Sequence, residues 1–429
     1  MVYLCTSQFT IDHSLLTIHS KYINRCLGLA KPGLGHVAPN PLVGAVLVHG
    51  DRVIGEGWHQ RYGQAHAEVN CLASVKEKDQ ELISRSVLYV SLEPCAHFGK
   101  TPPCTDLIIR NKIPRVVIGC ADPFEKVNGK GIEKLQAAGI EVELLEGPLA
   151  YECKNLNKRF FTFHTQQRPY IILKWAQTGD GFIATSPNPS TGKAPLPPEG
   201  GFSESSKMVK TLPVSEAKAP PSEGFGEASP SGGRGGRLLI SNEYSNRLVH
   251  KWRSEEAAIL VGTNTALMDD PELTTRLWEG PSPVRLVIDR KLRLPKTLKI
   301  FNDQQSTIIF NETLHDIPVG MNVTELKEKT GTWHYCIEPA NNLAALMKAL
   351  YLLNIQSVLV EGGAKLLRSF IDEGVWDEAR IINNEELIIN NGVVAPKLEN
   401  VVLASVEELY SDTVKTYFPA TGEIIIRRV

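Results

Sequence analysis

The sequence predicts an α/β protein built as two successive blocks, each a β-sheet covered by helices. Three observations predict it. From Lys21 onward, short runs rich in Val, Ile and Leu alternate with segments of helical period. The chain has 429 residues, 42% of them hydrophobic, which is enough for two separate cores. The alternation stops over residues 150–167 and resumes at Arg168, where a second set of strands begins.

In the first block, Tyr22, Ile23, Cys26, Leu27 and Ala30 share one side of a helix that starts near Lys21. Residues 1–20 are expected to be an N-terminal extension. Strands over 42–49 and 52–58 are joined by the turn Gly50-Asp51. A helix over 68–75 turns Val69, Leu72 and Ala73 inward. A strand over 87–92, a helix over 105–111 and a strand over 115–119 follow. A helix over 130–138, stopped by Gly139, leads to a last strand over 140–145. The expected boundaries are 21–149 for this domain, 150–167 for the linker and 168–429 for the second domain.

The second block opens with a strand over 171–175. Further strands are expected over 258–261, 284–288, 307–310, 357–360 and 423–426, with an amphipathic helix turning Tyr244, Leu248 and Trp252 inward. Residues 186–236 interrupt it. They are dense in Pro, Gly, Ser, Glu and Lys and nearly devoid of branched apolar residues. Such a stretch buries too little surface to offset its ordering entropy, so a disordered insertion is expected.

Net charge is −2, with no basic or acidic block. That leaves no electrostatic footprint for a nucleic-acid duplex or an anionic membrane, and a small-molecule substrate is the expectation. No apolar run approaches the ~18–20 residues of a membrane span, and no signal peptide is read at the N-terminus. Eight cysteines are scattered irregularly, which fits free thiols in a reducing cytoplasm.

Three pieces of the first block carry chemistry: His66-Ala67-Glu68 at a helix start, Cys95 after Glu93-Pro94, and Cys104 after Pro102-Pro103. One imidazole and two thiolates are good zinc ligands and leave a fourth tetrahedral corner for water, the pattern of a catalytic site. Glu68 is the expected proton carrier. Residues two apart do not share a face in mid-helix, so His66 and Glu68 can face one cleft only if the helix is just starting. The ordered set, with a non-ligand Glu, is the signature of zinc nucleobase deaminases. A structural zinc knuckle, in a binding protein without catalysis, is the alternative.

The stretch from Ser91 to Cys104, together with Pro39-Asn40-Pro41-Leu42-Val43-Gly44 and Gly57-Trp58-His59, resembles the deaminase half of the bifunctional riboflavin biosynthesis deaminase/reductases. The resemblance implies a cytidine-deaminase-like three-layer α/β/α fold and one Zn²⁺ per chain. It also implies substrate contacts from Asn40, His59, His97, Lys100 and Thr101. Leu173-Lys174-Trp175-Ala176 and the run from Ala258 to Arg276 look like the opening of the family's reductase half, as does Glu361-Gly362-Gly363 between a strand and a helix. That half is similar to dihydrofolate reductase. By the same resemblance Lys174, Ala176, Thr265, Asp269, Gly362 and Gly363 would bind NADPH. Arg253, Leu273, Arg276 and Glu361 would bind a pyrimidine ribosyl phosphate, and a homodimer is expected. Departures cluster at one edge of this half: Gly179 before Asp180, the insertion, and Arg237-Leu238-Leu239-Ile240. They leave open a deaminase whose reductase half is inactive.

Overall fold

The computed structural model describes residues 13–98, 102–124, 127–185, 239–338 and 342–420. The expected insertion over 186–236, the strand over 423–426, and Lys100 and Thr101 lie outside these residues.

The N-terminal unit runs α1 (His13–Ala30), β1 (Gly44–His49), β2 (Arg52–Trp58), α2 (Ala67–Ala73), β3 (Val87–Val90), α3 (Cys104–Arg110), β4 (Arg115–Ile118), α4 (Lys130–Ala137) and β5 (Glu141–Leu144). Its five strands lie in the order β2-β1-β3-β4-β5. The β1 pairings are antiparallel, and β3, β4 and β5 run parallel. Successive side chains of a strand face opposite ways, and both faces here are covered. Ala45, Leu47, Leu88, Val90, Val116 and Ile118 pack with Cys71, Ile108 and Leu135 of α2, α3 and α4. Val46, Val48, Tyr89 and Val117 pack with Tyr22, Ile23 and Cys26 of α1. This is the three-layer arrangement expected. Helix α1 starts eight residues before the sequence pattern placed it. His19 lies on it, 5% exposed, 3.2 Å from a carboxylate oxygen of Glu143.

The segment expected to be a linker is largely helical: α5 (Gly147–Leu156) and α6 (Lys158–Gln166). Between them, the buried Asn157 side chain bonds both the N–H and the C=O of Leu42, at 2.7 and 2.9 Å.

The C-terminal unit contains β6 (Tyr170–Thr178), β7 (Phe182–Thr185), α7 (Glu243–Glu255), β8 (Ala258–Gly262), α8 (Thr263–Asp269), β9 (Val284–Ile288) and β10 (Thr307–Asn311). It continues with α9 (Val323–Glu328), β11 (Thr332–Cys336), α10 (Asn342–Leu352), β12 (Ser357–Val360), α11 (Ala364–Asp372), β13 (Glu378–Asn384), β14 (Gly392–Val394), β15 (Val401–Leu409) and β16 (Asp412–Pro419). Nine strands form one sheet in the order β11-β10-β9-β8-β12-β6-β13-β16-β15, parallel as far as β13 and antiparallel beyond it. Helices α9, α10 and α11 cover one face through Leu326, Leu346, Leu350, Leu367 and Phe370. Helix α7 covers the other with Val249 and Trp252. Tyr244, expected to face inward, is instead 42% exposed and stacks on Tyr410, with ring centroids 4.1 Å apart.

Buried ion pairs tie α6 and the residues before β6 to the C-terminal sheet. Arg159 of α6 grips Glu256 with two bonds, and Lys158 reaches Glu378 at 2.6 Å. Arg168 holds Asp377 through two bonds of 2.6 and 2.7 Å. Among the described residues no helix is long and apolar enough to cross a membrane.

Candidate functional site

His66 occupies the N-cap of α2, with extended backbone at φ −72° and ψ 168°. Glu68 is therefore only the second residue of the helix proper. Both side chains can turn toward one point, which answers the spacing objection raised by the sequence. The helix lies close on β2 because Gly57 has no side chain. A Cβ there would come within 2.2 Å of the Cys71 nitrogen. Asn70 fixes the approach to His66 by donating to the carbonyls of Trp58 and Ala65 at 2.8 and 3.3 Å.

The Nδ1 of His66 lies 3.7 Å from the sulfur of Cys95 and 3.4 Å from that of Cys104, and the three ligand atoms lie within 4.8 Å of one another. With Zn–S of about 2.3 Å and Zn–N of about 2.05 Å, a tetrahedral N–S edge is about 3.6 Å. The observed separations bracket that value, so these residues fit a zinc ion. The backbone N–H of Cys104 donates to the Cys95 sulfur at 3.3 Å. A hydrogen bond from the Cys104 thiol holds the Cys95 thiol down to about 4, while Cys104, hydrogen-bonded to that thiolate and buried, is pushed up. Glu68, 3% exposed, faces the cluster, and burial raises its carboxyl above the ordinary value.

Asn40 and His59 stand together beside this centre. The Nδ1 of His59 lies 3.0 Å from the Ala65 carbonyl, which requires a proton there. Its Nε2 then accepts from the Asn40 amide at 3.1 Å. The His59 ring is 5.3 Å from that of His66, and burial keeps it neutral by lowering its pKa. His97, two residues past Cys95, is exposed, with its ring 6.5 Å from Phe124.

The sequence placed Glu93 in the turn before Cys95 but gave it no role. It is 4% exposed, and its carboxylate accepts the backbone N–H groups of Asp122, Gly129, Gly131 and Ile132 at 2.9–3.4 Å. It ties the turn that carries Cys95 to the start of α4. Behind it, burial pushes the Asp122 carboxyl up to about 7.

In the C-terminal unit the expected residues gather on three adjacent parallel strands, β8, β12 and β6. Most sit at the carboxyl ends, where open α/β sheets bind ligands. Thr265 and Asp269 belong to α8, which follows β8. Glu361, Gly362 and Gly363 lie between β12 and α11, and Lys174 and Ala176 lie on β6. A Cβ at Gly363 would sit 3.2 Å from the Thr265 hydroxyl, so these two segments are in contact. Arg253 clamps Glu361 with two 2.8 Å bonds, and the Lys174 ammonium stands 3.7 Å away. Burial pushes the Glu361 carboxyl up, but the two cations outweigh it and hold it at about 2.

One expectation changes here. The Leu273 side chain, expected at the substrate, is 3% exposed and packs in the core with Ile259 and Val261. Its backbone lies in the left-handed region, with φ at +56°. Arg276 lies at the surface, paired with Glu272, and its N–H donates to His250 Nδ1 at 2.9 Å. His250 is a second residue the sequence reading missed. Its bond to Arg276 and the bond from Arg253 to the Thr274 carbonyl anchor this loop on α7.

Residues 16–120 match the model for the cytidine and deoxycytidylate deaminase zinc-binding region, and residues 169–384 match that for the RibD C-terminal domain. The riboflavin biosynthesis protein RibD of Aquifex aeolicus is 38% identical, over 84% of this chain and 85% of its own. That of Actinobacillus pleuropneumoniae is 34% identical, over 82% and 80%. A Thermotoga maritima structure is described as a diaminohydroxyphosphoribosylaminopyrimidine deaminase/5-amino-6-(5-phosphoribosylamino)uracil reductase. It superposes with a TM-score of 0.72 at 32% identity, covering 94% of this chain and 99% of that one. Acinetobacter baumannii RibD superposes at 0.73 and 28% identity, covering 94% and 99%. A deaminase-type zinc site and a reductase sheet in one chain, in that order and over nearly its full length, place this protein in the RibD family of bifunctional riboflavin biosynthesis deaminase/reductases.

Proposed function

We propose that the N-terminal site hydrolyses the amine from 2,5-diamino-6-ribosylamino-4(3H)-pyrimidinone 5′-phosphate. The C-terminal site then reduces the ribosyl group with NADPH, giving 5-amino-6-ribitylaminouracil 5′-phosphate. The observation that carries this reading is the convergence of His66, Cys95 and Cys104 beside the buried Glu68. One zinc ion per chain is the stoichiometry that fits three ligand atoms at one point. When bound, the ion supplies the Lewis acidity that brings the pKa of a water molecule toward neutrality. Glu68 takes the proton of that water on a carboxylate oxygen and returns it to the departing amine, a task suited to a carboxyl whose pKa burial has raised. Asn40 orients the pyrimidine, with neutral His59 fixing its amide.

In the C-terminal site, Thr265, Asp269, Gly362 and Gly363 bind the nicotinamide cofactor. Contact between the Gly363 and Thr265 segments supports this. Lys174 and Ala176 flank the cofactor on β6. The carboxylate of Glu361, fixed by Arg253, meets the ribose, and Arg276 meets its phosphate. Lys100, Thr101 and His97 belong to the pyrimidine side of the first site. A homodimer in the cytoplasm completes the proposal.

The test is metal analysis of the purified protein alongside ammonia release from the phosphorylated diaminopyrimidinone and NADPH oxidation with the deaminated product. Zinc near one equivalent with both activities is the expected result. A metal-free protein that still releases ammonia would overturn the first site. Ammonia release without NADPH oxidation would instead establish a deaminase with an inactive second half.

A further inference from the structure

The loop Pro39-Asn40-Pro41-Leu42 carries Asn40 to the first site, yet much of what holds it comes from outside the N-terminal sheet. Asn157, between α5 and α6, bonds the N–H and C=O of Leu42. Gln356, the residue before β12 in the C-terminal sheet, donates its amide to the Pro39 carbonyl at 2.7 Å. Only the amide nitrogen can donate to a carbonyl, so the orientation of this side chain is fixed. Gln356 is 5% exposed, and its main-chain carbonyl accepts the Tyr170 N–H at 2.9 Å, which ties its backbone to β6. Between the two units a cavity of about 40 Å³ is lined by Asn40, Arg159, Glu256 and Gln356. It has room for a water molecule.

We propose that Gln356, a residue of the reductase sheet, is a positioning residue of the deaminase site, where its bond to Pro39 sets Asn40 against the pyrimidine. The deaminase then depends on the docking of the second unit through this bond, while the reductase does not depend on it. This inference rests on the reading that Asn40 meets the substrate.

The chain itself provides the control, because its two activities are measured separately on one protein. Gln356→Met keeps the volume and removes the donor. The expected result is a KM for the diaminopyrimidinone raised roughly three- to ten-fold, the scale of one hydrogen bond. The deaminase kcat, zinc content, and the reductase kcat and KM should stay at wild-type values. In an Asn40→Ala background, Gln356→Met should add nothing further. An unchanged deaminase KM in Gln356→Met, with Asn40→Ala raising it, overturns the positioning role. So does equal damage to both activities, the mark of a loosened interface. Asn40→Ala leaving the deaminase KM unchanged sinks the underlying reading of Asn40 instead, and the proposal with it.

Discussion

Replacing Arg159 by Met should destabilise the protein more than replacing its partner, Glu256, by Met. Arg159 donates to Glu256 through Nε at 2.7 Å and through a second bond from Nη2. The Glu256 side chain is 0% exposed and that of Arg159 is 15% exposed. Removing the arginine takes two hydrogen bonds from a carboxylate that has no solvent exposure of its own. A buried charge that loses its partner costs about 3–5 kcal/mol. Removing the glutamate leaves a guanidinium that still touches solvent and lies 5.9 Å from the Tyr170 ring. That change should cost about 1.5–3 kcal/mol, the range for a hydrogen bond to a charged group. The double variant leaves neither member of the pair without the other, so its loss should fall below the sum of the single losses. Urea unfolding followed by circular dichroism at pH 7 measures all three. The reasoning is refuted if Arg159→Met loses less than about 1 kcal/mol, or if Glu256→Met proves the more damaging.

Glu68→Gln should retain zinc while ammonia release falls at least ~100-fold, the lower range for loss of a general acid–base group. Undiminished ammonia release by that variant would remove Glu68 from its role. Chelation should abolish ammonia release and leave NADPH oxidation intact, because the metal ligands all lie in the first sheet's layers; parallel loss of both activities would contradict this. Glu361 is held at about 2 in the fold, against ~4.3 when unfolded. A depressed carboxyl stabilises the fold above its unfolded pKa and loses that contribution as pH falls toward the folded value. Wild type should therefore exceed Glu361→Gln by about 2–3 kcal/mol at pH 7, and the gap should close between pH 4 and 2. A gap that stays constant in urea titrations across that range would show that the ion pair does not set it.

Strands buried on both sides were legible because β-branched runs such as Val284–Ile288 and Ser357–Val360 name themselves. Strand β13 was not. It opens Glu378-Ala379-Arg380, and those charges are neutralised by Lys158, 220 residues earlier in the chain, and by one another. Local pattern cannot report such pairing. Helices α5 and α6 were missed for a related reason: Asn157 and Arg159 look like surface residues until the units dock. Similarly, Tyr244 fits an inward stripe by spacing, but its ring partner lies at the β15–β16 turn. The metal ligands were legible as types in order. Their convergence rests on the extended backbone of His66 and on the bare Cα of Gly57, neither of which a residue pattern displays.

The two buried carboxylates of the first site, Glu68 and Glu93, differ in what they face. Glu93 is wrapped by amides of its own chain, so it acts as an internal anion around which the 122–132 segment is moulded, much as backbone nests enclose a phosphate. Its isosteric amide would turn an NH₂ toward those same donors and unpick the turn that delivers Cys95. Glu68 has no such collar, and its amide can sit in the same place inertly. The same one-atom exchange therefore separates a carboxylate that shapes the chain from one proposed to move a proton.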